Sequence, residues 1–340
     1  KKYNLQPFTK FEFDKYIALS MWDYIEFLSK YQCDSELLHE KLIKIKDFRN
    51  LSNENLKIYA DMKTISASQL EAYFKCPFYY FLNNVLKIKV RLDDEIQSLD
   101  VGNIIHQIMY EYYRRNKNVG DVYDFCVKEV FKYIDKNERL KINSDSPTLI
   151  NLIDESVRVI NGLNYIDENS LFEPRYFEYD FSGKDSLKLR NIDVIGKVDR
   201  IDEFDSNLRI IDYKSGRVDS GLKELYYGNK LQLFLYCRAM ENSLKERAVG
   251  GFYLPLHNVF TRDVANTYAL KGFYENETNI VHALDKRLSP GEKSDIVNVR
   301  MNKDGLAYRT IGNKELRAEE LEKLKNYSTI VSEQAVDEIK

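Results

Sequence analysis

The segment GKVDRIDEFDSNLRIIDYKSG, residues 196–216, constrains the fold of this chain more than any other. NIDVIGKVDRIDEF and NLRIIDYKSG alternate β-branched or aromatic residues with polar ones, as strands do, and Asp205-Ser206-Asn207 supplies a tight connection between them. Alternate residues of a strand face one side, so Asp212 and Lys214 point together while Ile211 and Tyr213 point the other way. A hairpin brings Asp199 beside Asp212, and two carboxylates and an ammonium then converge at the ends of neighbouring strands. Adjacent carboxylates repel unless a cation or a proton joins them. Oxygen ligands with open positions suit Mg²⁺ or Mn²⁺. Such an ion binds a phosphodiester oxygen, lowers the pKa of a bound water and stabilises the added charge. Lys214 can orient that water, help deprotonate it or neutralise a pentavalent phosphate, and the sequence does not choose among these. D-x-K alone is common and most often marks a surface salt-bridge cluster. Here the apolar Leu208, Ile210 and Ile211 run straight into Asp212, Gly216 follows, and Gln232 and Tyr236 lie one turn apart on the next helix.

The rest of the chain frames that segment. Apolar positions such as Phe13, Ile17, Met21 and Ile25 predict helices over residues 10–59. Ser66 with Gln69 is a capping-box signature for a helix that Pro77 should break or kink just after Cys76. RLDDEIQ (91–97) predicts a loop, and helical periodicity returns from 101 to about 168. FEPRYFEYDF opens the strand region, one long helix is expected over roughly 222–243, and VGGFYLPL predicts a further strand. Short strands, a helix near 278–288 and a closing helix from about 315 follow. The pattern predicts an α/β core over residues 65–340, with a helical insertion at 100–170 and a helical N-terminal extension at 1–64. The chain starts without Met and stops within a predicted helix, so both ends are expected to continue in a longer protein.

The 51 Lys and Arg against 54 Asp and Glu give a net charge of -3, with no overall pull towards phosphate. That argues against a coat-like nucleic-acid binder and is neutral for an enzyme whose acids hold metal. Arg200, Arg217, Lys223, Tyr226, Tyr227 and Lys230 are candidates to line a single-strand channel, with a place in the core the equal alternative for the aromatics. Cys33, Cys76, Cys126 and Cys237 contain no C-x-x-C pair, which fits neither a disulfide framework nor a self-contained zinc site. No stretch approaches 18 apolar residues, so a cytoplasmic protein is expected. No G-x-x-x-x-G-K-[ST] is present, so ATP hydrolysis must come from elsewhere.

G-x-x-D-R-I-D, then I-I-D-Y-K-S-G, then Q-L-x-L-Y resembles the PD-(D/E)XK nuclease superfamily in its RecB-like branch. Y-F-K-C-P-F-Y-Y-F at 73–81, G-N-I-I-H at 102–106 and L-Y-Y-G-N-K-L-Q-L at 225–233 bring the likeness to the AddB-like nuclease domains of bacterial helicase–nucleases, which process double-strand breaks. The resemblance runs from about residue 65 to 335. It implies a restriction-endonuclease-like core of a mixed sheet flanked by helices. It implies His106, Asp199, Asp212 and the Tyr213 carbonyl as metal ligands, Lys214 as the catalytic lysine, and Gln232 and Tyr236 as supports of that lysine and of the DNA backbone. For His106 the alternative is a satisfied histidine on an amphipathic helix. The implied function is a Mg²⁺-dependent DNA exonuclease (Mn²⁺ as an alternative ion) in repair and recombination, acting on single strands at broken ends with an AddA-like helicase subunit. Rivals are a standalone RecB-like nuclease and a catalytically inactive DNA-binding module. Cys76 matches one ligand of a [4Fe–4S] cluster whose other three cysteines lie beyond the nuclease core in that family. Cys33, Cys126 and Cys237 do not occupy those positions, so in this chain Cys76 is expected to be a free, buried thiol.

Overall fold

The computed structural model describes residues 62–85, 87, 96–137, 140, 146–183, 186–216, 222–256, 268–297, 299–308 and 313–339. The helices expected over 10–59, with Cys33 and Arg217, lie outside the described residues. The chain divides into two compact units, residues 1–62 with 76–91, and residues 63–75 with 92–340.

In the larger unit, β1 (Thr64–Ser66) leads directly into α1 (Ala67–Lys75). The capping box forms as the sequence predicts: Gln69 Oε1 accepts from the Ser66 amide at 2.8 Å and Ser66 Oγ from the Gln69 amide at 3.3 Å. Pro77 ends α1 and takes the first position of α2 (Pro77–Tyr80), in the smaller unit, where a missing N–H has no cost. Cys76, at that junction, is exposed and not buried as expected, because it stands between two helices as the extended cap of the second.

Three longer helices follow in the larger unit, α3 (Ser98–Arg114), α4 (Val122–Asp135) and α5 (Pro147–Asn169). Ile104, Ile105, Ile108 and Met109 of α3 and Val159, Ile160 and Leu163 of α5 recur at helical spacing. They share one core with residues of the sheet, among them Ile211, Phe252 and Leu254.

The strands are β2 (Glu173–Asp180), β3 (Lys188–Leu189), β4 (Ile192–Ile195), β5 (Lys197–Phe204) and β6 (Asn207–Lys214). The helices α6 (Leu222–Tyr226) and α7 (Gln232–Leu244) then lead to β7 (Arg247–Pro255). β8 (Lys271–Glu275), α8 (Thr278–Leu284), the short pair β9 (Arg300–Met301) and β10 (Ala307–Tyr308), β11 (Lys314–Leu316) and α9 (Ala318–Ile339) complete the order. The main sheet runs β11-β8-β7-β6-β5-β2 and is mixed: β6 pairs parallel with β7, while β5 pairs antiparallel with β6 and with β2. A smaller sheet runs β1-β4-β3. β6 and β7 are buried almost end to end, as strands covered on both faces must be. None of the described helices is long and apolar enough to cross a membrane.

Two expectations need correction. NIDVIGKVDRIDEF is not one strand, because the chain leaves the small sheet and enters the large one at Gly196. A Cβ there would fall 2.7 Å from Phe181 Cζ, so the ring packs on bare backbone at the crossover. The helix expected over 222–243 is two helices, separated by a turn at Gly228, whose φ of 75° and whose approach to the Phe74 ring exclude a side chain. The β5–β6 turn forms as predicted, with Asp205 and Ser206 both left-handed (φ 48° and 59°) in the two-residue hairpin that suits strand twist.

Behind the sheet lies a buried charge network. Arg200, Asp202 and Arg209 are fully buried. Asp202 accepts from Arg200 Nε at 2.5 Å and from Arg209 Nη2 at 2.6 Å. Arg200 also donates to Tyr113 Oη of α3 at 2.6 Å and to Asp167 of α5. The network therefore bolts α3 and α5 to β5. Removing Asp202 leaves the buried Arg209 without a counter-ion and Arg200 with Asp167 alone, so Asp202→Ala is expected to cost about 3–5 kcal/mol in denaturant unfolding. A loss below about 1 kcal/mol would show that the charges are reached by solvent.

Candidate active site

β6 and β7 are parallel, so the chain must cross back between them, and it does so through α6 and α7. This crossover delivers the first residue of α7, Gln232, to the end of β6 that carries Asp212 and Lys214. The Lys214 ammonium lies 2.6 Å from Asp212 Oδ2 and donates to Gln232 Oε1 at 2.8 Å. Gln232 Nε2 donates to Asp212 Oδ1 at 2.9 Å and to Tyr236 Oη, one helical turn on, at 3.0 Å. One amide thus reads both members of the D-x-K pair and fixes the lysine against its aspartate.

Asp199 sits one step beyond Arg200–Ile211, the terminal pair of the β5–β6 ladder. Its Oδ2 accepts from the Tyr213 amide at 2.6 Å, and its Oδ1 lies 3.2 Å from His106 Nδ1. His106 projects from α3, and its Nε2 is 3.2 Å from the Tyr213 carbonyl. Glu178 of β2 completes the cluster, with Oε1 3.8 Å from His106 Nδ1. His106, Glu178 and Asp199 offer ligand atoms that all lie within 4.8 Å of one another.

The electrostatics follow from this crowding. Burial alone would lower the His106 pKa, but Asp199 and Glu178 outweigh it and hold the imidazolium up to about 10. Asp212 is pushed up to about 7, first by burial and then by the charge of Asp199, with Lys214 pulling the other way. Both ring nitrogens of His106 face oxygen acceptors, so a proton here does what a cation would do. Imidazole, two carboxylates and a carbonyl are a donor set suited to a divalent ion such as Mg²⁺ or Mn²⁺.

The structure brings together every residue named in the sequence for metal binding or catalysis: His106, Asp199 and the Tyr213 carbonyl, and Asp212, Lys214, Gln232 and Tyr236. Two acids escaped sequence reasoning. Glu178 falls opposite Asp199 in the β2–β5 register, where Phe177 pairs with Arg200 and Tyr179 with Val198. Its backbone is left-handed (φ 50°), a conformation an L residue in a strand adopts at a cost of about 1–2 kcal/mol. Strand register would have found it had β2 been aligned with β5. Glu71 of α1 accepts from the Gln232 amide at 2.9 Å, anchoring the start of α7; its pKa is raised by burial, and no sequence signal linked it to a helix 161 residues on.

Of the channel candidates, Arg200 is withdrawn, since it is fully buried in the charge network. Tyr226 and Tyr227 are 69% and 65% exposed, which removes the core reading for them. Lys223 is exposed, and Lys230 Nζ lies 5.7 Å from the centre of the Tyr253 ring that Lys214 Nζ approaches at 5.5 Å. Because Gln232 orients the pair without bonding to a reacting atom, Gln232→Ala is expected to lower cleavage about 10–100-fold with the fold unchanged. A steady-state rate equal to wild type would remove Gln232 from the machinery.

A hairpin ending in an acid and D-x-K, crossed by a helix that supplies a glutamine, defines a class of nuclease core. A family model of the PD-(D/E)XK nuclease superfamily matches residues 64–334, and the chain belongs to that superfamily. Among known proteins, it is 27% identical to a subunit of the ATP-dependent helicase/deoxyribonuclease of Clostridium tetani over 312 residues, 78% of this chain and 26% of that protein. The like-named protein from Clostridioides difficile is 27% identical over 318 residues, covering 78% and 27%. That of Staphylococcus aureus strain Newman is 27% identical over 357 residues, covering 85% and 30%. The chain thus spans about 26–30% of the length of these relatives.

Proposed function

We propose that this chain is a divalent-metal-dependent deoxyribonuclease domain that hydrolyses phosphodiester bonds exonucleolytically. It works on single strands delivered from broken DNA ends by an AddA-like helicase partner, in repair and recombination. The observation that carries the reading is the convergence of three oxygen acceptors on His106 beside a buried Asp212 paired with a half-exposed Lys214. The helicase partner rests on the relatives, whose name joins a helicase and a deoxyribonuclease, and the pathway on the resemblance of the site motifs alone.

His106, Asp199, Asp212 and the Tyr213 carbonyl, with Glu178 added, would hold the ion. Mg²⁺ or Mn²⁺ bound there would supply a Lewis acid for the phosphodiester oxygen and a more acidic water. Lys214, the more exposed member of the pair, orients the attacking water and offsets charge on the non-bridging phosphate oxygens. Gln232 keeps the ammonium aimed, and Tyr236 holds Gln232.

Metal must displace the protons that stand in for it. His106, held up to about 10, is protonated in the metal-free fold at pH 8, and Asp212, at about 7, is largely protonated at pH 6. Calorimetric Mg²⁺ or Mn²⁺ titrations in buffers of differing ionisation enthalpy are expected to release about one proton at pH 8 and about two at pH 6, with affinity rising with pH. Release of none at pH 8 would take His106 out of the ligand set. The exonuclease reading is tested with linear and circular single strands of the same sequence. Linear strands are expected to shorten from an end, and equal cleavage of circles would contradict end-dependence.

A further inference from the structure

His106 and Glu178 also form the inner wall of an open cleft of about 580 Å³, within the size range of sites for small organic ligands. Asn103, Gln107 and Tyr110 line it at i, i+4 and i+7, one face of α3 leading outward from His106. Asn103 and Tyr110 are exposed and Gln107 is half-buried. The facing wall carries Lys197, the first residue of β5, which is 53% exposed and lies 3.4 Å from Glu178 Oε2. Among the described residues it is the one lysine or arginine lining the cleft. Lys197 pairs with Glu178 and Lys214 with Asp212, so two of the acids that would otherwise repel a polyanion each carry a lysine.

We infer that this cleft is a subsite for one nucleotide of single-stranded DNA, next to the phosphate being cut. Lys197 takes its backbone phosphate, Tyr110 stacks on its base, and Asn103 and Gln107 hydrogen-bond its edges. Besides His106 and Glu178, the lining offers two tyrosine rings, the exposed Tyr110 and the half-buried Tyr133, an ammonium and two neutral amides. Such a set binds any base through its π-face and reads sequence weakly. A stacked base must be out of a duplex, so the subsite favours unpaired strands. The inference rests on the nuclease reading.

The test is a fluorescence-anisotropy titration of labelled oligothymidylate with Mg²⁺ present, in the Lys214→Met background, where cleavage is slowed about 10²–10³-fold and binding is read before the strand is consumed. Tyr110→Ala is expected to weaken binding about five- to hundredfold, with Tyr110→Phe restoring it. Lys197→Ala is expected to flatten the slope of log K against log salt by about 0.7, the share of one phosphate contact on a single strand. Tyr123→Ala, at an exposed tyrosine outside the cleft, should match the background protein. Wild-type protein that cuts DNA, together with Tyr110→Ala and Lys197→Ala that bind like the background, would overturn the subsite and leave the nuclease reading standing. A chain that neither binds nor cuts would overturn both.

Discussion

Replacing Asp212 with alanine is expected to abolish DNA cleavage, by at least about 10³-fold, while making the metal-free protein more stable at pH 8. The two effects have one cause. Asp212 is fully enclosed, faces the charge of Asp199, and is held near a pKa of about 7 against an ordinary 3.8. Between pH 4 and 7 the folded chain keeps a proton there that the unfolded chain has released, so metal-free stability falls as pH rises across that window. Above it, the ionised carboxylate costs up to about 4 kcal/mol with the attraction of Lys214 already counted, an upper bound that local relaxation reduces. Alanine removes that cost together with a ligand for the ion. Thermal unfolding in EDTA should show the variant gaining on wild type at pH 8 and not at pH 5. Equal stability at both pH values would mean that Asp212 is solvated, and retained cleavage would remove it from the site.

Lys214→Met is expected to lower kcat by about 10²–10³-fold, the scale of losing one preorganised charge at a transition state. Metal affinity should stay within a few-fold of wild type. The ammonium contacts Asp212 and Gln232 and lies on the open side of the pair, so methionine keeps the stem and deletes only the charge. Calorimetry and single-turnover kinetics on one preparation separate the two quantities. A parallel loss of metal binding would show that Lys214 holds the ion's ligands in place and does not act on the phosphate.

The hairpin that carries the candidate site was legible because strand alternation is local. Leu208, Ile210 and Ile211 before Asp212, and a turn that positions Asp199, need no knowledge of the remaining chain. Gln232 and Tyr236 were legible as one helical face, and His106 only through its motif. What escaped reading depends on long-range register. Glu178 joins the site because β2 aligns with β5, and Glu71 because α1 meets the start of α7. The break at Gly196 was hidden because both flanking segments carry strand patterns, and only the Phe181 ring shows why the chain changes sheets. Arg200 looked like a surface charge because neither Asp167 nor Tyr113 is near it in sequence.

Metal-dependent hydrolysis of DNA is the activity proposed for this site. Its most direct test is the fate of end-labelled single-stranded DNA incubated with the wild-type chain in Mg²⁺, in Mn²⁺ and in EDTA, with Asp212→Ala beside it. The account predicts loss of the label into short products with either ion, none in EDTA, and none with the variant. Cleavage that persists in EDTA, or that Asp212→Ala carries out at the wild-type rate, would contradict it.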